Sequence, residues 1–164
     1  MITYIIPIIH PDHERVQSYS NVLLWLNKTL HSLKKQSNAT QVIVVCHELP
    51  PDKTKWEQRN VIFIQVQSEL FDILRILDTN ASYSSDKLNL YLSYLNLQGE
   101  MHNKDKGLKY FIGLLYCFIQ PSNKQPEFIG LIDGDDFLHV ELGNWLLKEA
   151  PKSSNLFAVD TGYL

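Results

Sequence analysis

The sequence has few cysteines, no long hydrophobic run and no excess of positive charge, and each shortage excludes a class of protein. Its two cysteines, Cys46 and Cys117, lie in apolar segments, which indicates buried free thiols and not a disulfide framework. None of its apolar stretches is long enough to span a bilayer. The chain has 15 Lys and Arg and 18 Asp and Glu, which gives a net charge of −3. This charge disfavours nucleic acid as a partner.

The amino-terminal segment also lacks the basic region of a secretory signal. Residues 1–10 contain no Lys or Arg, and the apolar run within them is short. We therefore expect a cytoplasmic protein. The length of 164 residues and the hydrophobic fraction of 45% suit a single domain, residues 1–164, with a substantial core.

Apolar runs alternate with helical patterns along most of the chain. Strands are predicted at residues 2–9, 41–46, 61–66, 127–133 and 155–160, because such continuous aliphatic runs are typical of strands buried on both faces. Helices are predicted at residues 20–35, 105–118 and 140–148. Residues 47–52 and 121–126 are typical of loops. Within residues 68–103, residues 70–77 are a candidate helix, and residues 88–97 fit either a helix or irregular structure. This order indicates a three-layer α/β/α fold with a mostly parallel central sheet.

An acidic turn, Asp133-Gly134-Asp135-Asp136, follows the fourth predicted strand directly. Ligands of open α/β sheets bind at the carboxyl ends of the strands, where this turn lies. Its carboxylates repel one another, and a divalent cation would relieve that repulsion because Mg²⁺ and Mn²⁺ prefer carboxylate and phosphate oxygens. Gly134 permits a tight turn. A solvated turn, with Asp136 or a neighbouring residue capping the next helix, is the alternative.

Three segments resemble those of the GT-A glycosyltransferases, in particular the large inverting family that includes cellulose and chitin synthases. Residues 5–7, Ile-Ile-Pro, resemble that family's opening strand. Residues 131–136 resemble its strand ending in an Asp-x-Asp motif, and residues 105–113 resemble the helix that runs before it. The resemblance implies a Rossmann-like donor-binding half. It also implies metal-dependent transfer of a sugar from a nucleotide-diphosphate sugar, commonly a UDP-sugar, to an unknown acceptor.

The resemblance also assigns roles to individual residues. Asp133 would face the ribose or the metal, and Asp135 would be the main ligand of Mn²⁺ or Mg²⁺. Lys106 and Lys109 would face the diphosphate or pair with the aspartates. The alternative for both lysines, favoured more for Lys109, is an exposed basic helix face. Pro7 would border the base.

Two departures from the family pattern qualify these expectations. The family commonly carries an acidic loop after its second strand that binds the uracil edge, whereas this chain has His47 and Glu48 there. Glu48 would accept the base N–H and His47 would stack on the base or pair with it, unless the loop is merely solvated. The family also continues into an acceptor-binding half with a catalytic base. Inverting transfer needs such a base, and none is apparent after residue 136, so we expect a truncated, donor-binding half whose catalytic residues are unknown.

The sequence also allows other functions and other sites. A non-catalytic nucleotide-sugar-binding module, or a remnant of a transferase, is the main alternative. An exposed sheet edge would favour a homo-oligomer. A nucleotidyltransferase is disfavoured because residues 10–15 contain no glycine. A zinc cluster could be formed by His10, Asp12, His13 and Glu14, but a polar loop after the first strand is the preferred interpretation. Tyr83, Tyr91 and Tyr94 could stack on a sugar, but ordinary core or surface packing is preferred.

Overall fold

A computed structural model describes residues 1–9, 11, 16, 18–36, 40–57, 59–66 and 101–149. In these ranges four strands form one parallel sheet flanked by four α-helices. The strands are β1 (Ile2–Pro7), β2 (Thr40–Cys46), β3 (Val61–Gln65) and β4 (Phe128–Leu131). The helices are α1 (Tyr19–Lys34), α2 (Lys53–Glu57), α3 (Met101–Ile119) and α4 (Leu142–Glu149). None of the described helices is long and apolar enough to cross a membrane.

The strand order β3-β2-β1-β4 is that of a Rossmann-like sheet. β1 is central, because Ile2 pairs with Thr40 of β2 on one side and with Phe128 of β4 on the other. The chain therefore builds outward from β1 to β3 and then crosses to the opposite side of β1. This reversal leaves a topological switch point between the carboxyl ends of β1 and β4, where open α/β sheets bind ligands.

Helices pack on both faces of the sheet, as the alternation of buried side chains along the strands requires. On one face, Tyr4 and Ile6 belong to a core cluster that includes Leu30 of α1, Trp56 of α2 and Leu146 of α4. On the other face, the cluster contains Ile5, Ile43 and Ile64 together with Ile112 and Cys117 of α3. The predicted α/β fold with a parallel sheet is thus confirmed for the described residues.

α3 approaches β1 closely because it carries a glycine at the contact. A Cβ atom added to Gly113 would overlap the Cγ2 atom of Ile5, which is itself fully buried. Gly107 lies on the same helix and has no atom within 4 Å of the corresponding position. Gly113 therefore sets the height of α3 above the sheet, and with it the position of the lysines in the helix's second and third turns.

Some predicted boundaries differ from the structure. Helix α2 follows the predicted loop and was not predicted; its Trp56 is buried and donates a hydrogen bond from Nε1 to Asn27 Oδ1 at 2.8 Å. α3 begins four residues earlier than its pattern indicated. β1 and β4 both end two residues earlier than predicted. The predicted strand at 155–160 and most of the 68–103 segment lie outside the described residues.

Candidate functional site

A cleft of about 360 Å³ opens at the switch point between β1 and β4. Its floor is formed by residues 7–9, which leave β1, and by residues 133–135, which follow β4. Val22 and Trp25 of α1 line one side, and Lys106 and Lys109 of α3 also face it. The cleft therefore gathers five of the seven residues predicted from sequence: Pro7, Lys106, Lys109, Asp133 and Asp135.

The acidic turn is held in place by hydrogen bonds from its own backbone and from α1. The backbone N–H of Asp133 donates to Asp136 Oδ2 at 2.8 Å, and the N–H of Asp136 donates to the Asp133 carbonyl at 3.2 Å. Thr29 Oγ1 donates to the Gly134 carbonyl at 2.8 Å. Asp136 thus closes the turn itself and does not cap α4, which begins only at Leu142.

Gly134 lies where the turn packs closely against the residues that leave β1, and its backbone angle is not unusual. A Cβ atom at this position would lie 3.0 Å from Ile8 Cδ1. The backbone of Gly134 is not in the left-handed region, so the conformational reason expected from the sequence is wrong. The glycine instead lets the turn lie directly against the residues that leave β1.

Asp133 is bound by two side chains of α3. Lys106 Nζ lies 2.6 Å from Oδ1 and 2.7 Å from Oδ2, and the Tyr110 hydroxyl donates to Oδ1 at 3.0 Å. Burial raises the pKa of Tyr110, and the neighbouring Asp133 carboxylate raises it further. The phenol therefore keeps its proton and acts as a donor. Tyr110 was not predicted, although its position four residues after Lys106 places both on one helix face.

Lys109 is fully buried, so the interpretation of this residue as part of an exposed helix face is wrong. Its exposed fraction is 0%, and Nζ donates to the Ile8 carbonyl at 2.6 Å. A buried ammonium is tolerated only when polar partners replace its lost hydration. Lys109 thereby connects α3 to the backbone that leaves β1, at the base of the cleft.

Asp135 is the exposed carboxylate of the cleft. Its side chain makes no hydrogen bond or ion pair within the described part of the chain. No group of three His, Cys, Asp or Glu side chains clusters among the described residues. Mg²⁺, however, is commonly held by one or two carboxylates together with substrate phosphates and water. Asp135 with Asp133 is a donor set of that kind.

His47 and Glu48 follow β2 at the same edge of the sheet but do not line the cleft. The His47 carbonyl accepts a hydrogen bond from Gln65 Nε2 at 2.9 Å. The Glu48 carbonyl accepts one from the Tyr19 hydroxyl at 3.1 Å. The backbone of this segment thus ties β2 to β3 and to the start of α1.

Trp25 also lines the cleft, and the sequence did not predict it as a site residue. Val22, about one helical turn before it, lines the cleft as well. The apolar spacing of a helix does not distinguish a buried position from one at the edge of a cleft. The residues considered for a zinc cluster and for a sugar-stacking tyrosine surface lie outside the described residues.

Comparison of the chain with protein-family models, with curated proteins and with solved structures finds no match.

Proposed function

We propose that this cleft binds a nucleotide-diphosphate sugar together with Mn²⁺ or Mg²⁺, as the donor-binding half of a GT-A-like glycosyltransferase. The observation that supports the proposal most is the meeting of Asp133, Asp135, Lys106 and Lys109 around one cleft at the switch point of the sheet. Along the chain, the lysines lie on α3 and the aspartates follow β4.

The charges of the cleft suit a complex of a divalent cation with a diphosphate better than they suit the cation or the diphosphate alone. Its two carboxylates suit a divalent cation, and the exposed ammonium group of Lys106 suits phosphate oxygens, whereas that of Lys109 is buried against the Ile8 carbonyl. The Lys106 side chain is 45% exposed and can exchange its contact with Asp133 for one with a phosphate. A volume of about 360 Å³ lies within the range of small-molecule sites.

Each residue has a separate task in this proposal. Asp135, with Asp133, would hold the cation, which when bound supplies Lewis acidity that offsets charge on the diphosphate. Lys106 would bind the phosphate directly. Tyr110 orients the Asp133 carboxylate through its hydrogen bond to Oδ1. Lys109 holds the backbone at Ile8, so that the floor of the cleft keeps its shape.

The test is calorimetric titration of UDP, GDP and dTDP with and without Mn²⁺. We expect binding that requires Mn²⁺ and that Asp135→Asn weakens by more than about tenfold, since even outer-shell substitutions at metal sites cost that much. Glu149→Gln is the matched control, because it removes one exposed carboxylate of α4 away from the cleft. Absence of nucleotide binding under all conditions would overturn the proposal.

A non-catalytic binding module is the second candidate. Inverting transfer needs a carboxylate that acts as a base beside the donor, and the surroundings of two candidate carboxylates disfavour that role. Asp133 is paired with Lys106, and Glu141, which accepts a hydrogen bond from Asn144 Nδ2 at 2.7 Å, does not line the cleft. Release of UDP from UDP-sugars by the isolated chain distinguishes the two functions. A transferase acting alone releases UDP by transfer or slow hydrolysis, whereas a binding module retains affinity and releases none.

A further inference from the structure

The two sides of the cleft differ in chemistry. α3 and the acidic turn present charged groups, whereas α1 presents Val22 and Trp25. A ligand that contacts both sides needs an ionic part and an apolar part. Phosphate oxygens can bind the charged side, but a diphosphate has no apolar group that could pack against the indole ring of Trp25.

Trp25 is held beside the cleft without being buried. Its exposed fraction is 43%, whereas that of Trp56, which packs in the core, is 2%. Lys28 Nζ lies 4.0 Å from the Trp25 ring centroid. Phe137 approaches Trp25 in an edge-on arrangement, with centroids 6.2 Å apart and planes at 71°. These contacts orient the indole and still leave much of it to solvent.

The aromatic pair is also linked to the acidic turn. Phe137 directly follows Asp136, and Thr29, one helical turn after Trp25, donates to the Gly134 carbonyl. The indole and the proposed metal ligands are therefore held by the same contact between α1 and the turn. A ligand with a planar ring joined to a diphosphate fits this combination.

We propose that Trp25 is the stacking surface for the nucleobase, an inference that rests on the proposed function. A planar aromatic base covers an indole face more completely than a puckered sugar ring does, and stacking of this kind accepts every base. His47 and Glu48, the residues expected to contact the base, do not line the cleft. Trp25 therefore contributes affinity for a nucleobase of any kind and little specificity between bases.

The experiment compares ligands that do and do not contain a ring. UDP, UDP-glucose and inorganic pyrophosphate are titrated with Mg²⁺ into the native chain, Trp25→Ala, Trp25→Phe and Trp145→Ala. Trp145 is the matched control because its exposed fraction is 46% and it does not line the cleft. We expect Trp25→Ala to weaken UDP by about 5- to 140-fold while leaving pyrophosphate unchanged. Trp25→Phe should retain most of the affinity, and Trp145→Ala all of it.

Fluorescence provides a second measurement that does not depend on how well the alanine variant folds. In a Trp145→Phe background, with selective excitation of tryptophan, the tryptophan emission comes only from Trp25 and the buried Trp56. UDP with Mg²⁺ should quench this emission, and the quenching should disappear when Trp25→Phe is added. Persistence of the quenching in the double variant would contradict the proposal.

The outcomes separate this inference from the function on which it rests. If the native chain binds UDP and Trp25→Ala binds it equally well, the stacking role fails and the donor site stands. Equal loss of UDP and pyrophosphate would show a general collapse of the cleft and also overturn the stacking role. Weakening of UDP-glucose alone would assign the indole to the sugar instead. If the native chain binds none of the three ligands, both proposals fail together.

Discussion

Lys106 and Lys109 lie within one helical turn of each other, but their surroundings differ. The Lys106 side chain is 45% exposed and pairs with Asp133, whereas Lys109 is fully buried and donates to a backbone carbonyl. Exposed ion pairs contribute little to stability, because solvent screens them and ordering the side chains costs entropy. Loss of a buried donor leaves its acceptor without a partner and without water.

We therefore expect substitution of the two lysines by methionine to have different effects on stability. Lys109→Met should lower the free energy of unfolding by about 1–3 kcal/mol, because the Ile8 carbonyl loses its donor. Lys106→Met should lower it by less than about 1 kcal/mol but weaken diphosphate binding. Urea unfolding and nucleotide titration of both variants measure this. Equal losses of stability would contradict the burial of Lys109.

Tyr4 contributes to a loss of folding stability at alkaline pH. It is buried, donates to Gln36 Oε1 at 3.4 Å, and burial raises its pKa to about 12. Below pH 10 the phenol is neutral in both the folded and the unfolded chain. Above pH 10 the unfolded chain ionises first, so stability falls as pH rises toward the folded pKa.

Tyr4 alone should cost about 2 kcal/mol of stability by pH 12, and Tyr4→Phe should remove that share of the loss. Burial also raises the pKa of Tyr19 and Tyr110, so the variant retains some alkaline destabilisation. Denaturant unfolding from neutral to alkaline pH measures the difference. The same pH profile in both proteins would show that Tyr4 does not contribute.

At the level of elements, the contact between α3 and β1 depends on one glycine. Gly113→Ala should lower the free energy of unfolding by about 1–3 kcal/mol, because the added methyl overlaps Ile5 in a packed core. It should also weaken nucleotide binding, since α3 carries both cleft lysines. Gly107→Ala, in an open position of the same helix, should instead stabilise by about 0.5–1 kcal/mol. Thermal or urea unfolding of the pair tests the contact directly.

Elements differ in how well their sequence predicts them. The long helices α1 and α3 and all four described strands were predicted, because their apolar spacing extends over several turns or several paired residues. α2 was not, since five residues after two prolines cannot show a helical period. Its stability depends on Trp56, which packs in the core and bonds Asn27 of α1. That contact joins residues 29 positions apart and is a tertiary effect.

At the level of the whole molecule, each face of the sheet contains one buried thiol. Cys46, on β2, belongs to the core cluster between the sheet and α1. Cys117, on α3, belongs to the cluster between α3 and the sheet. Burial raises the pKa of Cys117 to about 11, which reduces its reactive thiolate at neutral pH.

We expect neither thiol to react with a disulfide reagent in the native protein, and both to react in strong denaturant. Along a urea titration, mass spectrometry should find both cysteines labelled at the same concentration if the two layers unfold as one unit. Labelling of Cys117 at lower urea than Cys46 would show that the α3 layer opens independently. The two thiols are the only ones in the chain, so no substitution is needed for the assignment.

The sequence by itself determined the alternating strands and helices, the parallel sheet and the acidic turn at the end of a strand. These are local properties, since apolar period and turn composition act over a few residues. The tertiary structure decided that β4 pairs with β1, which brings Asp133 and Asp135 to the cleft beside Pro7. It also decided that Lys109 is buried and that Trp25 borders the cleft, because burial depends on which elements pack together across more than a hundred residues.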